Sequence, residues 1–529
     1  MHPCLETFDI IVLIFTDIAR SKNPDAARTT LASLARTCHA FQEVALDLLW
    51  EEQTGMLPLL RCMPPDLLDE TTRDADRPKL TLRRPICPAD WQRCQRLGAR
   101  VKNLRMKRLD YEMSPEVSLA MLIASPGEGI LPNLRTLELP LTERTEFFCR
   151  PGPKLRELRI ITRDLYYPSA IRDIAPSLLL SFPSMCPNVE RFAMCASVHD
   201  LTVPLMMASA WAGLEVLALG NLVLFGDLQA SARRLCNLRE LDLTWSQYLK
   251  DVYSTDLSTA HKLARSVPFP RLSKLTLRIA ELGERTALAI CDSLLRTMDI
   301  PVLDTIHILL RTDANTSHEP TSRSVLAYLG SHSALRSVIL EVAWETDEDC
   351  RDPNNVLCRT TLQPLFACRH LVKFEWACTD GFDLDDEDVA TMAASWPSLQ
   401  WLELSTHPGW SVRSRITFRG LAAMLQRCPD LEHLSIVVDA TQVDVPAQLM
   451  APMNRALERI YLGNSPIADA EAVATVLSRV MPRLSKVRNS WALDVFADDP
   501  GSEVLAAEYD ARWGEVNKIL SSAADSKVQ

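Results

Sequence analysis

One apolar phrase limits what this chain can fold into. Leu-x-x-Leu-x-Leu, with conservative replacements, returns from Leu134-Leu137-Leu139 through Leu214-Leu217-Leu219, Leu272-Leu275-Leu277 and Leu399-Leu402-Leu404 to Leu457-Ile460-Leu462. A weaker copy precedes the set at Val101-Leu104-Met106, and a decayed one follows at Leu484-Val487. In each copy the last two apolar positions alternate with polar ones, the period of a strand buried on one side. A short turn often comes just before: Phe-Pro-Arg before Leu272, Trp-Pro-Ser before Leu399, Cys-Pro-Asp before Leu431. Proline disfavours helical geometry in the residue it follows, so it closes the preceding helix. Helical stretches are expected between strands, as at Leu421 to Cys428 and Ala470 to Met481.

The intervals vary, among them 24 residues (Leu214 to Leu238), 26 (Leu431 to Leu457) and 36 (Leu335 to Leu371). The short ones suit a leucine-rich repeat, and the long ones need additional loop or helix outside the strand ladder. One such unit cannot bury its own apolar edge, so stacked neighbours must make the core. The expectation is an α/β leucine-rich-repeat solenoid. Its parallel ladder should run from about Val101 to Val487, one strand per copy on a single concave face, with helices outside. A generic leucine-rich α/β protein would lack the shared turn.

The chain has 529 residues, too many for one globular core, and 47% of them are apolar, ample for such an array. A formal net charge of -11 argues against nucleic acid as a partner, because phosphate binding needs basic surface that displaces counterions. Protein partners remain. The fifteen cysteines show no disulfide framework. Cys186, Cys236, Cys368 and Cys428 all stand just before a strand, which reads as a small, free, buried hydrophobe in a reducing compartment. The apolar run Ile10 to Phe15 lies between Asp9 and Asp17. It is too short to cross a bilayer and lacks the basic flank of a signal peptide. The triplet Asn315-Thr316-Ser317 reads as a chance glycosylation pattern. An intracellular protein of the cytoplasm or nucleus, with no membrane association, is expected.

The N-terminal end follows another rule. Leu5, Phe8, Ile11, Ile14 and Phe15 recur at helical spacing, and Leu34-Ala35-Arg36-Thr37-Cys38-His39-Ala40-Phe41 leads on to Ala45, Leu49 and Trp50. Helices this short do not make a stable domain alone, so their apolar faces require a partner. The succession Leu5…Asp9-Ile10…Ile14-Phe15, Ser33-Leu34…Cys38…Phe41 and Leu49-Trp50 resembles an F-box. Phe8 stands where that family usually has the proline of a Leu-Pro opening, and Asp9 where a glutamate is common. The phrase Asp90-Trp91-Gln92-Arg93 through Val101-Lys102-Asn103-Leu104 resembles the lead-in to the repeats of fungal F-box proteins. The resemblance implies docking on a Skp-type adaptor, and so on a cullin–RING ubiquitin ligase. Leu5, Phe8, Ile11, Ile14, Leu34, Cys38, Phe41, Leu49 and Trp50 would carry it, while the repeats receive a protein substrate. The other reading makes this segment a cap over the first repeat. The chain would then be a leucine-rich-repeat scaffold or enzyme inhibitor with no ligase role.

The expected organisation is a helical module at 1–55, a linker and lead-in at 56–96, the solenoid at 97–490, and a cap helix with a tail at 491–529. Five prolines between Pro64 and Pro88 mark the linker. Arg93, Arg96, Arg100, Lys102, Arg105, Lys107 and Arg108 form either a patch for an acidic partner or a solvated helix face. Leu505, Tyr509, Trp513, Val516 and Leu520 have the spacing of a capping helix, with a disordered tail from Ser521.

No phosphate-binding glycine loop, Gly-x-Ser-x-Gly, His-Glu-x-x-His or Cys-x-x-Cys is present, so neither an enzyme, a cofactor nor a metal is expected. The cluster Asp380, Asp383, Asp385, Asp386, Glu387 and Asp388 lacks the turn glycine and terminal glutamate of a calcium loop. It reads as a solvated acidic loop, as does Glu345 to Asp352. Outward strand positions carry Glu240 and Asp242, then Glu375, Trp401, Glu403, His433 and Tyr461 on sequential repeats. Aromatic and charged anchors dominate binding energy in interfaces, so these last five are the candidate substrate contacts, expected to lie together at equivalent positions.

Overall fold

The computed structural model describes residues 7–71, 78–106, 111–127, 129–140, 151–161, 179–195, 202–220, 231–245, 267–279, 291–292, 294–312, 319–344, 356–377, 381–404, 410, 412–444, 454–491 and 500–528. The chain divides into two compact units, residues 1–238 and 239–529. Each is built on a ladder of parallel strands. In the first, β1 (Glu52–Gln53), β2 (Asn103–Arg105), β3 (Thr136–Pro140), β4 (Glu157–Ile161), β5 (Arg191–Cys195) and β6 (Val216–Gly220) pair in sequence order. In the second the order is β7 (Glu240–Trp245), β8 (Lys274–Ile279), β9 (Thr305–Thr312), β10 (Ser337–Trp344), β11 (Lys373–Ala377), β12 (Trp401–Leu404), β13 (His433–Ser435), β14 (Arg459–Tyr461) and β15 (Lys486–Arg488). Every copy of the apolar phrase carries one strand, in register with its neighbour. Leu402, for instance, faces Phe374 on one side and Leu434 on the other. The fold is that of an α/β leucine-rich repeat. No helix among the described residues is long and apolar enough to cross a membrane.

The turn before each strand explains why the pattern repeats. Its first residue lies three positions before the leading leucine, and its carbonyl accepts the leucine N–H: Leu399 N to Trp396 O at 3.1 Å, Leu431 N to Cys428 O at 3.3 Å, Leu484 N to Met481 O at 3.0 Å. Proline at the second position has the backbone angle this turn requires, so it shapes the turn as well as ending the helix. The side chain at the first position points inward and reaches back one repeat. Trp211 Nε1 donates to the Cys186 carbonyl at 2.9 Å, Cys428 Sγ to that of Trp396 at 3.4 Å, and Cys368 Sγ to that of His332 at 3.6 Å.

Cys186, Cys368 and Cys428 hold this position and are buried, and burial pushes their thiols up to about 12, 11 and 11. Cys236 departs from the expectation. It stands one residue later, so Leu235 takes the buried place and Cys236 is exposed. All four thiols are free.

The ladder starts earlier than Val101. Helices α1 (Phe8–Ala19), α2 (Pro24–Leu34) and α3 (His39–Glu51) close on a core of Ile11, Phe15, Leu31, Val44 and Ala45. Phe15 meets the edge of Phe41 at 5.2 Å between centroids. α3 then runs straight into β1, which pairs with β2. The basic stretch finds its partners here. Arg100 binds the carboxylates of Glu43 and Asp47, Lys102 Nζ lies 3.1 Å from Glu51, and Arg105 3.8 Å from Glu52. These three are neither an open acidic-partner patch nor freely solvated, because α3 and β1 present four carboxylates to them, whereas Arg93 and Arg96 are exposed on the preceding helix. Lys107 and Arg108 lie outside the described residues.

Three other expectations change. The proline-rich linker contains an antiparallel hairpin, Leu68–Thr71 against Lys79–Leu82, with Glu112–Met113 added in parallel. Leu67 and Leu80 are buried beneath it, and Arg61, Arg83 and Arg84 pair with Glu70, Asp69 and Asp66. The expected disordered tail from Ser521 is helical: after α6 (Ala470–Val480), α7 (Pro500–Val528) continues through it. Trp513, Val516 and Leu520 bury as a cap should, whereas Leu505 is exposed.

The acidic cluster is capping chemistry rather than a solvated loop. In α4 (Asp386–Ser395), the Asp385 side chain accepts from the N–H groups of Glu387 and Asp388. Asp386 reaches the next helix, α5 (Phe418–Arg427), accepting from Thr417 N at 2.7 Å and Gly420 N at 3.0 Å. Carboxylates at helix N-termini satisfy orphan donors and oppose the helix dipole. Asp380, the stretch 345–352 and the triplet 315–317 lie outside the described residues.

A Cβ at Gly420 would stand 2.4 Å from Asp386 Oδ1 and 3.0 Å from its Cα. Alanine normally stabilises a helix interior by about 1 kcal/mol over glycine. Here Gly420→Ala should instead destabilise by roughly 1–3 kcal/mol, and urea unfolding that shows a gain would contradict the close approach. Alkylation of the native protein followed by mass spectrometry should label Cys236 quickly, and Cys186, Cys368 and Cys428 only after unfolding. Rapid native labelling of Cys428 would contradict the turn packing.

Candidate functional site

Parallel in-register strands place equivalent side chains about 4.8 Å apart, so the outward positions of neighbouring repeats form columns. On β7 to β15 the first column holds Glu240, Lys274, Thr305, Ser337, Lys373, Trp401, His433, Arg459 and Lys486. The second holds Asp242 and, further along, Glu375, Glu403, Ser435, Tyr461 and Arg488.

The five candidate substrate contacts are brought together, but on two columns rather than one. Trp401 and His433 share the first; Glu375, Glu403 and Tyr461 share the second. At strand spacing two flat rings have room only to stack, and Trp401 lies 3.7 Å from His433 at 8° between planes. His433 then meets Tyr461 across the columns at 5.5 Å and 36°.

Two cations close the row. Lys373 Nζ sits 4.5 Å from the centre of the Trp401 ring, and the Arg488 guanidinium 5.1 Å from that of Tyr461. Arg488 Nη1 also donates to the Tyr461 hydroxyl at 2.8 Å. Lys373, Trp401, His433, Tyr461 and Arg488 thus run across five consecutive strands. Cation–π contacts of this kind contribute about 0.5–1 kcal/mol when exposed. Lys373 and Arg488 were missed because anchors were chosen by residue type on repeats with aromatics. The register after Leu371 and Leu484 would have found both.

The carboxylates are held within the face. Glu375 lies 2.8 Å from Lys373, and Glu403 3.4 Å from His433 Nε2. That second contact lacks hydrogen-bond geometry, and His433 Nε2 and Trp401 Nε1 are buried polar atoms without a hydrogen-bond partner. A buried donor left unpaired costs about 1–3 kcal/mol, and the ring stack and the two cations act against that cost. Glu240 and Asp242 are likewise occupied, by Lys274 at 3.4 Å and Arg278 at 2.5 Å.

The expected adaptor contacts separate. Leu5 lies outside the described residues. Ile11 is a correction: it is 2% exposed, inside the module's own core, and cannot contact a partner without unfolding it. Leu34, Phe41 and Leu49 pack half-buried against that core, and Cys38 and Trp50 are half-buried. Phe8 and Ile14 are open at 64% and 42%, joined by Leu13 at 69%, which the sequence reading did not include. Helical periodicity separates the α1 faces but does not say which one the module keeps for itself.

No family model matches the chain, and no curated protein matches it. Among solved structures, a protein from Bacteroides fragilis aligns at 10% identity over 52% of this chain and 75% of its own, with a TM-score of 0.28. The leucine-rich repeat domain of APL1B aligns at 12% identity over 76% of this chain and 84% of its own, with a TM-score of 0.30.

The ring stack makes a measurable prediction. In a double-mutant cycle of Trp401→Leu and His433→Leu followed by urea unfolding, the coupling should be about 0.5–1.5 kcal/mol. Strict additivity would mean the rings do not interact.

Proposed function

We propose that the protein is the substrate receptor of a Skp–cullin–F-box ubiquitin ligase, with the N-terminal module docking a Skp-type adaptor and the strand face capturing a protein substrate. One observation carries the adaptor half: α1 spends one face on the module core and leaves Phe8, Leu13 and Ile14 open. Exposed apolar groups on a minimal helical module are the mark of a docking surface. The cation-flanked aromatic row supports the substrate half, since aromatic and arginine anchors concentrate binding energy in interfaces. A second reading, a leucine-rich-repeat scaffold or inhibitor whose first helices are only a cap, is favoured by the pairing of β1 with β2. It leaves the three open residues of α1 without a role.

Phe8 and Ile14 are solvent-facing, so Phe8→Glu with Ile14→Glu should leave the module folded. Calorimetry with a purified Skp-type adaptor should show wild-type binding, and a loss of roughly 2 kcal/mol or more, about thirtyfold, in the double variant. Absence of adaptor affinity in the wild-type chain would favour the cap. A substrate-capturing strand face further requires that Trp401→Ala with Tyr461→Ala lower substrate capture without moving the adaptor affinity.

A further inference from the structure

The charges on the strand face of the second unit are not evenly matched. From β7 to β13 each outward carboxylate has a basic side chain beside it: Glu240 with Lys274, Asp242 with Arg278, Glu341 with His307, Glu375 with Lys373, Glu403 with His433. On β14 and β15 the carboxylates stop. The outward positions there are Arg459, Tyr461, Lys486 and Arg488. All three cations are exposed, and among the described residues no carboxylate lies within ion-pair distance of them. Arg459 and Lys486 are direct partners across the two strands. Like charges placed so are mutually destabilising, and an incoming anion between them removes the repulsion. The patch adjoins the aromatic row, because Arg488 binds the Tyr461 hydroxyl and leaves its other donors outward.

We infer that this end of the strand face docks an extended, aspartate- and glutamate-rich segment of a partner protein, its acidic side chains on Arg459, Lys486 and Arg488 and an apolar or aromatic residue on Tyr461 and Trp401. The inference rests on the reading of the strand face as a protein-binding surface and adds the chemistry of what it takes. Charge complementarity selects the occupant. The chain as a whole carries -11, so a cationic patch on it attracts anions locally while the remainder repels long polyanions. Three cations are also too few for nucleic acid, where roughly 6–10 phosphate contacts set the affinity. They suit a short acidic segment.

The test is fluorescence anisotropy of the full-length protein with a labelled peptide of glutamate and aspartate around one tyrosine. Its glutamine/asparagine counterpart and a single-stranded oligonucleotide serve as comparisons. The acidic peptide should bind at least about tenfold more tightly than the amide peptide, and salt should erode the difference. Arg459→Glu with Lys486→Glu, both on exposed side chains and checked by thermal melting, should abolish that preference. Equal affinity for the two peptides, a preference surviving the double charge reversal, or tighter binding of the oligonucleotide would each overturn the inference. Adaptor affinity is read on the same samples. Lost peptide preference with the adaptor retained overturns this inference alone, and peptide preference without adaptor affinity overturns only the ligase reading.

Discussion

Both ladders depend on the turn that precedes each strand, because its first carbonyl is asked to do two things. It accepts the N–H of the leading leucine three residues on, which closes the turn. Along part of each unit it also accepts from the side chain at the same place one repeat later, as Cys186 does from Trp211 and Trp396 from Cys428. The leucine N–H takes one lone pair of that carbonyl, and a side-chain donor from the next repeat can take the other. That explains an odd column of residues. Trp211, Cys368 and Cys428 are buried and each brings a donor, while Leu235, Phe269, Ile300 and Met481 only fill space. Asn454 is the most polar solution: its amide donates to Pro429 and Leu431 and accepts from Ala456 and Leu457.

Once the turns are in register, the strands must be, and the outward face inherits that register. Trp401 stacks on His433 because equivalent Cα atoms leave no other room for two flat rings. The open edge of the last strand is closed by the same economy of partners. Asn517 of α7 accepts from Val487 N at 2.7 Å and donates to Val487 O at 2.9 Å, so one side chain replaces the next strand at that residue. An unpaired edge invites pairing with another chain, and the cap helix removes that option where it touches.

The phase of Leu-x-x-Leu-x-Leu was legible because alternation within a strand is local, and the strands fall where it puts them. What escaped was either an offset of one residue or a contact across dozens. Cys236 looked equivalent to Cys428, but it stands one residue later in a turn of the same length and so faces outward. Asp386 looked solvated, since nothing near it in sequence says that Thr417 and Gly420 wait for its carboxylate. Arg100 looked like half of a free basic patch because Glu43 and Asp47 are more than fifty residues away. The hairpin at 68–82 was hidden by prolines and mixed charge, although its arginine–carboxylate pairs are what make that charge tolerable there. In the candidate site, proximity could be read from sequential repeats. The split into two columns and the flanking cations follow from register and needed each strand placed to one residue.

The join between the helical module and the first ladder bears on how a receptor of this kind would work. α3 enters β1 without a linker, Glu52 and Gln53 pair with Asn103 and Leu104, and Lys102 N donates to the Glu51 carbonyl at 2.9 Å. Arg100 is largely enclosed while it holds Glu43 and Asp47, and Arg28 reaches the Glu52 carbonyl at 3.3 Å from the other side. Backbone pairing, ion pairs and chain continuity therefore act at one joint. A flexible tether would let a bound partner sample many orientations and dilute its effective concentration; a joint of this kind removes that freedom. The acidic side of α3 is consumed in making it, and the inner face of α1 in making the module core. The outer face of α1 is what the module leaves open. A partner seated on Phe8, Leu13 and Ile14 would then be held in a set orientation to β1 and β2, because residues 8–53 run through α1, α2 and α3 directly into β1.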